Sequence, residues 1–164
     1  MLALARIVSG GQTGVDRGAL DAALERGFPC GGWCPEGRLA EDGRLADRYP
    51  LKVLPDAGYA ERTAQNVRDS DATLVLCHQR LEGGTEYTVR QCVEHARPCK
   101  LVDAYAVGAE RAAAVALEFV AAYGVRVLNV AGPRQSKWSG AHAYAHRTIS
   151  LLLDSVKGAP RASA

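Results

Sequence analysis

Leu4-Ala5-Arg6-Ile7-Val8-Ser9-Gly10-Gly11-Gln12-Thr13-Gly14-Val15-Asp16-Arg17 runs from a short apolar segment into a glycine-rich turn. Ala19-Leu20-Asp21-Ala22-Ala23-Leu24-Glu25-Arg26 follows with helical character and is closed by Gly27. A strand near Leu4–Ser9 that empties through glycines into a helix near Asp16–Arg26 is the local recipe for an anion site. Glycine lets the backbone approach a ligand, and the first N–H groups and positive end of the helix favour negative charge. Without a ligand, the same residues make a tight strand-to-helix turn. No Lys-Ser/Thr pair follows the glycines, so this is not a P-loop. Glycines at 10, 11 and 14 also miss the G-x-G-x-x-G order of a dinucleotide fingerprint.

The same alternation continues outward. Cys30–Cys34 reads as a short extended segment, Pro35–Pro50 as a polar, turn-rich loop and Leu51–Leu54 as another strand. Tyr59–Arg68 suits a helix with Ala60, Thr63, Ala64 and Val67 on one face. Ala72–Cys77 is the clearest strand, a continuous apolar run of the kind covered on both faces. Thr85–Ala96 reads as a helix, Cys99–Val102 as a strand, Glu110–Tyr123 as a helix stopped by Gly124, Val125–Val130 as a strand and Ser139–Val156 as the last helix. Strands alternating with helices predict an α/β fold, a Rossmann-like doubly wound and mostly parallel sheet of five or six strands. One domain over residues 1–156 with a frayed tail at 157–164 is expected.

Composition sets bounds. The 164 residues are 48% hydrophobic but only 6% aromatic, which points to close backbone packing through Ala and Gly. Net charge is +2 and no basic stripe occurs, which argues against nucleic acid as a partner. The longest apolar stretch, Ala112 to Tyr123, is interrupted by Glu118 and is too short to span a bilayer, so no membrane partner is expected. Cys30, Cys34, Cys77, Cys92 and Cys99 make an odd count without C-x-x-C, as expected of free thiols in a reducing cytoplasm. His142 and His146 share a helix face, but no Glu follows His142, and no structural zinc is expected.

Ligands of such sheets bind beyond the carboxyl ends of the strands, and those loops carry the unusual residues. After Cys77 comes His78-Gln79-Arg80-Leu81-Glu82-Gly83-Gly84-Thr85-Glu86-Tyr87, again a glycine pair before a helix. Thr85 is either an anion ligand or a helix N-cap. After Val130 comes Ala131-Gly132-Pro133-Arg134-Gln135-Ser136-Lys137-Trp138, with two cations and a hydroxyl. Trp138 and Trp33 are each candidates for stacking on a flat ring or for packing. Glu41 and Asp42 form a carboxylate pair suited to acid/base chemistry, a divalent ion or a solvated loop face.

Together, Ser9–Arg17, Gly31-Gly32-Trp33-Cys34-Pro35-x-Gly37-Arg38 with Ala40-Glu41-Asp42-Gly43, Gly83-Gly84-Thr85, and Leu128-Asn129-Val130-Ala131-Gly132-Pro133-Arg134 resemble the molybdenum cofactor carrier proteins. That family belongs to a Rossmann-like group that includes the lysine decarboxylase-like phosphoribohydrolases. The resemblance spans about Ile7 to Ser136, with the motifs in the expected order. It implies binding of the molybdenum cofactor, a phosphate-bearing molybdopterin, or of molybdate. It also implies a homo-oligomer, dimer or tetramer, with molybdoenzymes as recipients. The ligand-binding candidates are Gly10, Gly11, Gln12, Thr13, Gly14, Arg17, Gly32, Gly83, Gly84, Thr85, Pro133, Arg134 and Ser136.

The alternative is a nucleotide-processing enzyme of the phosphoribohydrolase type, with Glu86 or Asp16 as acid/base. The enzymes of that group carry P-G-G-x-G-T-x-x-E. Here Leu81 stands before the acidic Glu82, Gly84 runs straight into Thr85, and Glu86 follows at once. The reading therefore leans toward a binding protein with no catalytic residue. The Ala-rich helix Glu110–Tyr123 has almost no polar face, and it or a neighbour is expected in a subunit interface.

Overall fold

A computed structural model describes residues 2–158. Arg6–Val8 forms β1, with Ile7 and Val8 buried, and Val15–Glu25 forms α1. Cys30–Gly31 is β2, and there the expected single strand over 30–34 breaks in two. Gly32 takes φ +124°, and a Cβ on it would meet the Ser9 carbonyl oxygen at 2.3 Å. The chain turns there, and Trp33–Cys34 (β3) leaves the central sheet to pair in parallel with Lys52–Val53 (β6).

Between them, Leu39–Ala40 (β4) and Gly43–Arg44 (β5) form a hairpin whose tip is Glu41-Asp42. The segment expected to be a plain polar loop thus has its own small core of Leu20, Cys34, Ala40, Leu45, Tyr49 and Leu51. The Arg38 guanidinium fastens it by donating to the carbonyls of Ala46, Tyr49 and Leu51, each at 3.0 Å.

Tyr59–Arg68 is α2, opened by the Glu61 carboxylate accepting the Gly58 N–H at 2.9 Å. Ala72–Cys77 is β7, buried at every position. Gly83–Glu94 is α3, so both glycines of the second turn lie inside the helix. Cys99–Asp103 is β8, Ala109–Tyr123 is α4 and Val127–Ala131 is β9. Ala141–Gly158 is α5, which takes in Lys157 and Gly158 from the expected tail. Lys157 Nζ donates to the Arg26 carbonyl. The rest of that tail, 159–164, lies outside the described residues. No helix among the described residues is long and apolar enough to cross a membrane.

The central sheet has five parallel strands in the order β2-β1-β9-β7-β8. Helices α1, α4 and α5 cover one face, where Ile7, Leu74, Leu76, Leu128 and Val130 meet their alanines and leucines. The small residues allow close approach: a Cβ on Gly18 of α1 would lie 2.5 Å from the His142 carbonyl oxygen of α5. Helices α2 and α3 pack against each other over the opposite face. The interior is more polar there, with Asn129 Nδ2 donating to Thr73 Oγ1 at 3.2 Å.

Counted from β9, the strand order reads 3-2-1-4-5, the order of a doubly wound dinucleotide-binding sheet. The last strand of the sequence therefore occupies the first position of the fold. Its neighbours diverge between β9 and β7. That is the switch point where such sheets open a crevice.

Candidate functional site

A cleft of about 590 Å³ opens at that point. One wall is the β7–α3 segment, with His78, Gln79, Arg80, Gly83, Gly84, Thr85 and Tyr87. The β9–α5 loop faces it with Pro133, Arg134, Lys137 and Trp138. Tyr59, Arg62 and Thr63 of α2 enter from the side, with Gln12 from the β1–α1 turn and Asp16 from the first turn of α1.

The first turn of α3 is open. A Cβ added to Gly83 or Gly84 would meet nothing within 4 Å. Their N–H groups have no backbone partner among the described residues, whereas those of Thr85 and Glu86 reach the Glu82 carbonyl at 3.2 and 3.3 Å. Free N–H groups and the positive helix end face a cleft lined by Arg62, Arg80, Arg134 and Lys137 against only Asp16 and Glu82. Arg134 lies 5.6 Å from the centre of the Tyr59 ring. Trp138 stacks on His78 with centroids 4.9 Å apart, and His78 meets the edge of Tyr105. Trp138 thus belongs to an aromatic cluster that also edges the cleft.

The turn after β1 is closed by comparison. The Val15 N–H goes to the Pro133 carbonyl at 3.2 Å, the Gln12 N–H to the Asp16 carboxylate at 3.1 Å and the Thr13 N–H to the Gln12 side chain at 3.0 Å. Cβ atoms on Gly11 and Gly14 would come within 2.5 Å of the Leu51 side chain and the Pro133 carbonyl oxygen. These glycines, and Gly32, make room for packing. Gly10 makes room for the Arg62 guanidinium, which a Cβ there would meet at 1.9 Å.

Thr13, Gly14, Arg17 and Ser136 line a separate, shallower depression beside the Glu41-Asp42 hairpin. Arg17 makes a two-pronged ion pair with Asp42 at 2.5 and 2.7 Å, so its charge is already matched. Those hydrogen bonds hold the Asp42 carboxyl below its usual range. Glu41 accepts from the Thr13 hydroxyl, from Ser136 Oγ at 2.5 Å and from the Ser136 N–H at 3.1 Å. Its partial burial works against ionisation, but these bonds and nearby Arg134 outweigh it and lower its pKa. The carboxylate pair lies on an exposed loop, yet both acids are engaged and clamp the turn.

Of the thirteen candidate ligand residues, the cleft gathers Gln12, Gly83, Gly84, Thr85, Pro133 and Arg134. Tyr59, Arg62, Thr63, His78, Arg80 and Tyr87 join them without having been singled out in the sequence. Arg62 lies beside the apolar stripe of α2, four residues before the buried Asn66, and no motif in the sequence marks it. Glu86 does not line the cleft and lies 3.8 Å from Arg90 on its own helix. Trp33 is away from it too, its indole donating to Asp69 at 2.7 Å. His142 and His146 contact Asp21 and Glu25, both at 2.7 Å, and no cluster of three or more metal-ligating side chains occurs among the described residues.

A parallel sheet in this order, with a cationic cleft at its switch point, defines a Rossmann-like α/β protein. Residues 7–153 match the model of the Circularly permutated YpsA SLOG family, and the chain belongs to that family. The rotated strand order agrees with the circular permutation in that family's name. A crystal structure named "Putative molybdenum carrier protein", from Syntrophus aciditrophicus SB, is similar to this chain at 39% identity and a TM-score of 0.89. The match covers 92% of this chain and 96% of that one. Comparison with curated proteins gives no match.

Proposed function

We propose that the cleft between β7 and β9 binds the molybdenum cofactor, and that the protein stores or carries it. The observation that carries this reading is the open first turn of α3, Gly83-Gly84, set among Arg80, Arg134 and Lys137. Oxyanions accept from free N–H groups and guanidinium forks, and each charge-assisted bond contributes about 1.5–3 kcal/mol. The volume of about 590 Å³ suits a small organic ligand. Tyr59, Tyr87 and Trp138 offer flat faces for a pterin ring. None of the five cysteines lines the cleft, so the residues fit a ligand held by its phosphate and ring rather than by a protein thiolate on the metal. The carrier name of the similar crystal structure supports the same reading.

Native mass spectrometry of freshly purified protein incubated with the cofactor tests it. The expected result is a complex carrying the mass of molybdopterin, lost in Gly84→Asp. That substitution has room for its side chain and places a carboxylate where an acid favours the helix but repels an anion. Absence of both cofactor and molybdate binding at millimolar concentration overturns the proposal.

The same reading includes a homo-oligomer, dimer or tetramer, in the cytoplasm, handing its ligand to molybdoenzymes. Helix α4 leaves Ala121, Ala122 and Tyr123 exposed for such a contact. A monomer by light scattering at micromolar concentration removes that part.

One observation favours the nucleotide-processing alternative. Asp16 lies in the cleft wall, and burial pushes its carboxyl upward, the direction a general acid requires. Release of free base from nucleoside monophosphates, abolished in Asp16→Asn, would establish that activity in place of carriage.

A further inference from the structure

The chain makes a rare turn where it leaves β7. The Arg80 N–H donates to the His78 carbonyl, two residues back, at 2.8 Å, which closes a γ-turn around Gln79. Gln79 takes φ +64°, a conformation that an L side chain rarely adopts. Arg38, Asp56 and Ala96 also have positive φ, but of these four residues Gln79 alone lines the cleft. Strain of this kind persists only where surrounding contacts impose it, and it collects at binding and active sites.

Asp103, at the end of β8, imposes it. Its Oδ1 accepts the Gln79 N–H and the Tyr105 N–H, each at 2.9 Å. Those two bonds hold its carboxyl below the ordinary range, so it is ionised at neutral pH. One carboxylate thus ties the loop after β7 to the loop after β8, and both links lead to the cleft. The turn at Gln79 sets the directions of the residues on either side of it, His78 and Arg80, which both line the cleft. Tyr105 meets His78 edge-on with centroids 5.9 Å apart, and so backs the ring that stacks on Trp138. Arg80 is exposed at the cleft, where an anion can reach its guanidinium. Asp103 itself is not part of the cleft lining.

We propose that Asp103 is a positioning residue of the cleft: by holding the left-handed turn at Gln79 it sets where Arg80 meets an anion, while touching no ligand itself. This rests on reading the cleft as the site of an anion-bearing ligand. Charge alone makes the opposite prediction. Removing a carboxylate near a cationic cleft favours an anion, whereas releasing the turn disfavours it.

Sodium molybdate is the probe, titrated calorimetrically into the full chain. Asp103→Ala binds about tenfold more weakly than the wild type, the scale of one misplaced charge-assisted bond. Asp103→Asn loses the same charge but keeps the accepting oxygen, and it binds within about twofold of the wild type. Arg80→Gln weakens binding by a factor similar to Asp103→Ala. The two together are no weaker than Arg80→Gln alone, because Asp103 acts through Arg80. Unchanged or tighter binding in folded Asp103→Ala, or additive losses in the double variant, overturns the proposal. Circular dichroism establishes that each variant is folded. Gln79→Gly and Gln79→Val supply an independent reading should Asp103→Ala fail to fold. Glycine accepts the left-handed turn and a β-branched residue resists it, so the glycine variant binds more tightly. The reverse order, expected of a Gln79 side chain that merely contributes contact area, overturns the proposal. Absence of wild-type binding to both molybdate and the molybdenum cofactor removes the carrier reading and this proposal together. Wild-type binding that survives Asp103→Ala removes this proposal alone.

Discussion

The turn after β1 and the turn after β7 both run from a buried strand through adjacent glycines and a threonine into a helix. In the first, the N–H groups of Gln12, Thr13 and Val15 are taken by the Asp16 carboxylate, the Gln12 side chain and the Pro133 carbonyl. Its glycines leave no room for a Cβ. In the second, Gly83 and Gly84 have open space around them. The difference follows from strand order. β7 borders the switch point, whereas β1 lies one strand removed from it, beyond β9. A glycine pair before a helix therefore reports that backbone comes close to something. Topology decides whether that neighbour is the protein itself, as after β1, or an open cleft, as after β7.

The contrast is easiest to break by adding a methyl group to each turn. Gly14→Ala faces φ +81° and a carbonyl oxygen at 2.5 Å, and is expected to lose about 3 kcal/mol or more in urea denaturation. Gly84→Ala, in open helical backbone, is expected to gain about 0.5–1 kcal/mol. Similar losses at both positions would dissolve the distinction.

Glu41→Gln sharpens it at the next level. Removing the charge that accepts from Thr13 and Ser136 weakens the clamp by about 1–2 kcal/mol, read as a lower midpoint of thermal melting. Cofactor affinity should not fall, because Glu41 is not part of the cleft lining. A loss of affinity would mean that the two depressions form one site.

The smallest effect concerns acid. Arg17 holds the Asp42 carboxyl below its ordinary 3.8, so the unfolded chain binds more protons than the native one between those two values. The contribution is complete above the unfolded value and is lost as pH falls through the folded one. Asp42 is half-exposed, so solvent screening keeps this below about 1 kcal/mol. Asp42→Asn should flatten that part of the acid limb of a stability–pH profile. Asp16 has the opposite sign: burial raises its pKa, and its ionisation costs stability as pH rises through the folded value.

Much of the fold was legible because its signals are local. The apolar run at 72–77 and the helix over 59–68 lie where the pattern puts them. The break at Gly32 was not, because its φ of +124° and the close approach of the Ser9 carbonyl oxygen are set by the folded chain and leave no mark in the local pattern. For the site, Gly83, Gly84 and Arg134 could be singled out by position after a strand. Arg17 shows why the rest could not. A cation in a glycine-rich turn looks the same whether it awaits an anion or already holds one, and its partner Asp42 is 25 residues away. Arg62 and Tyr59 come from a helix whose sequence carries no binding motif.

The position of β9 also governs how this protein can be made. Before residues 127–131 leave the ribosome, β2-β1 and β7-β8 are two separate strand pairs with open inner edges, and only β9 joins them. The bond from Ser9 Oγ to the Val130 carbonyl spans 121 residues of sequence. Sheet closure is therefore a late event in synthesis, the order of assembly that leaves strand edges exposed longest. The cleft borrows a wall from the segment that follows β9, so a chain that stops short of it lacks that wall, and a complete cleft becomes a mark of a finished sheet.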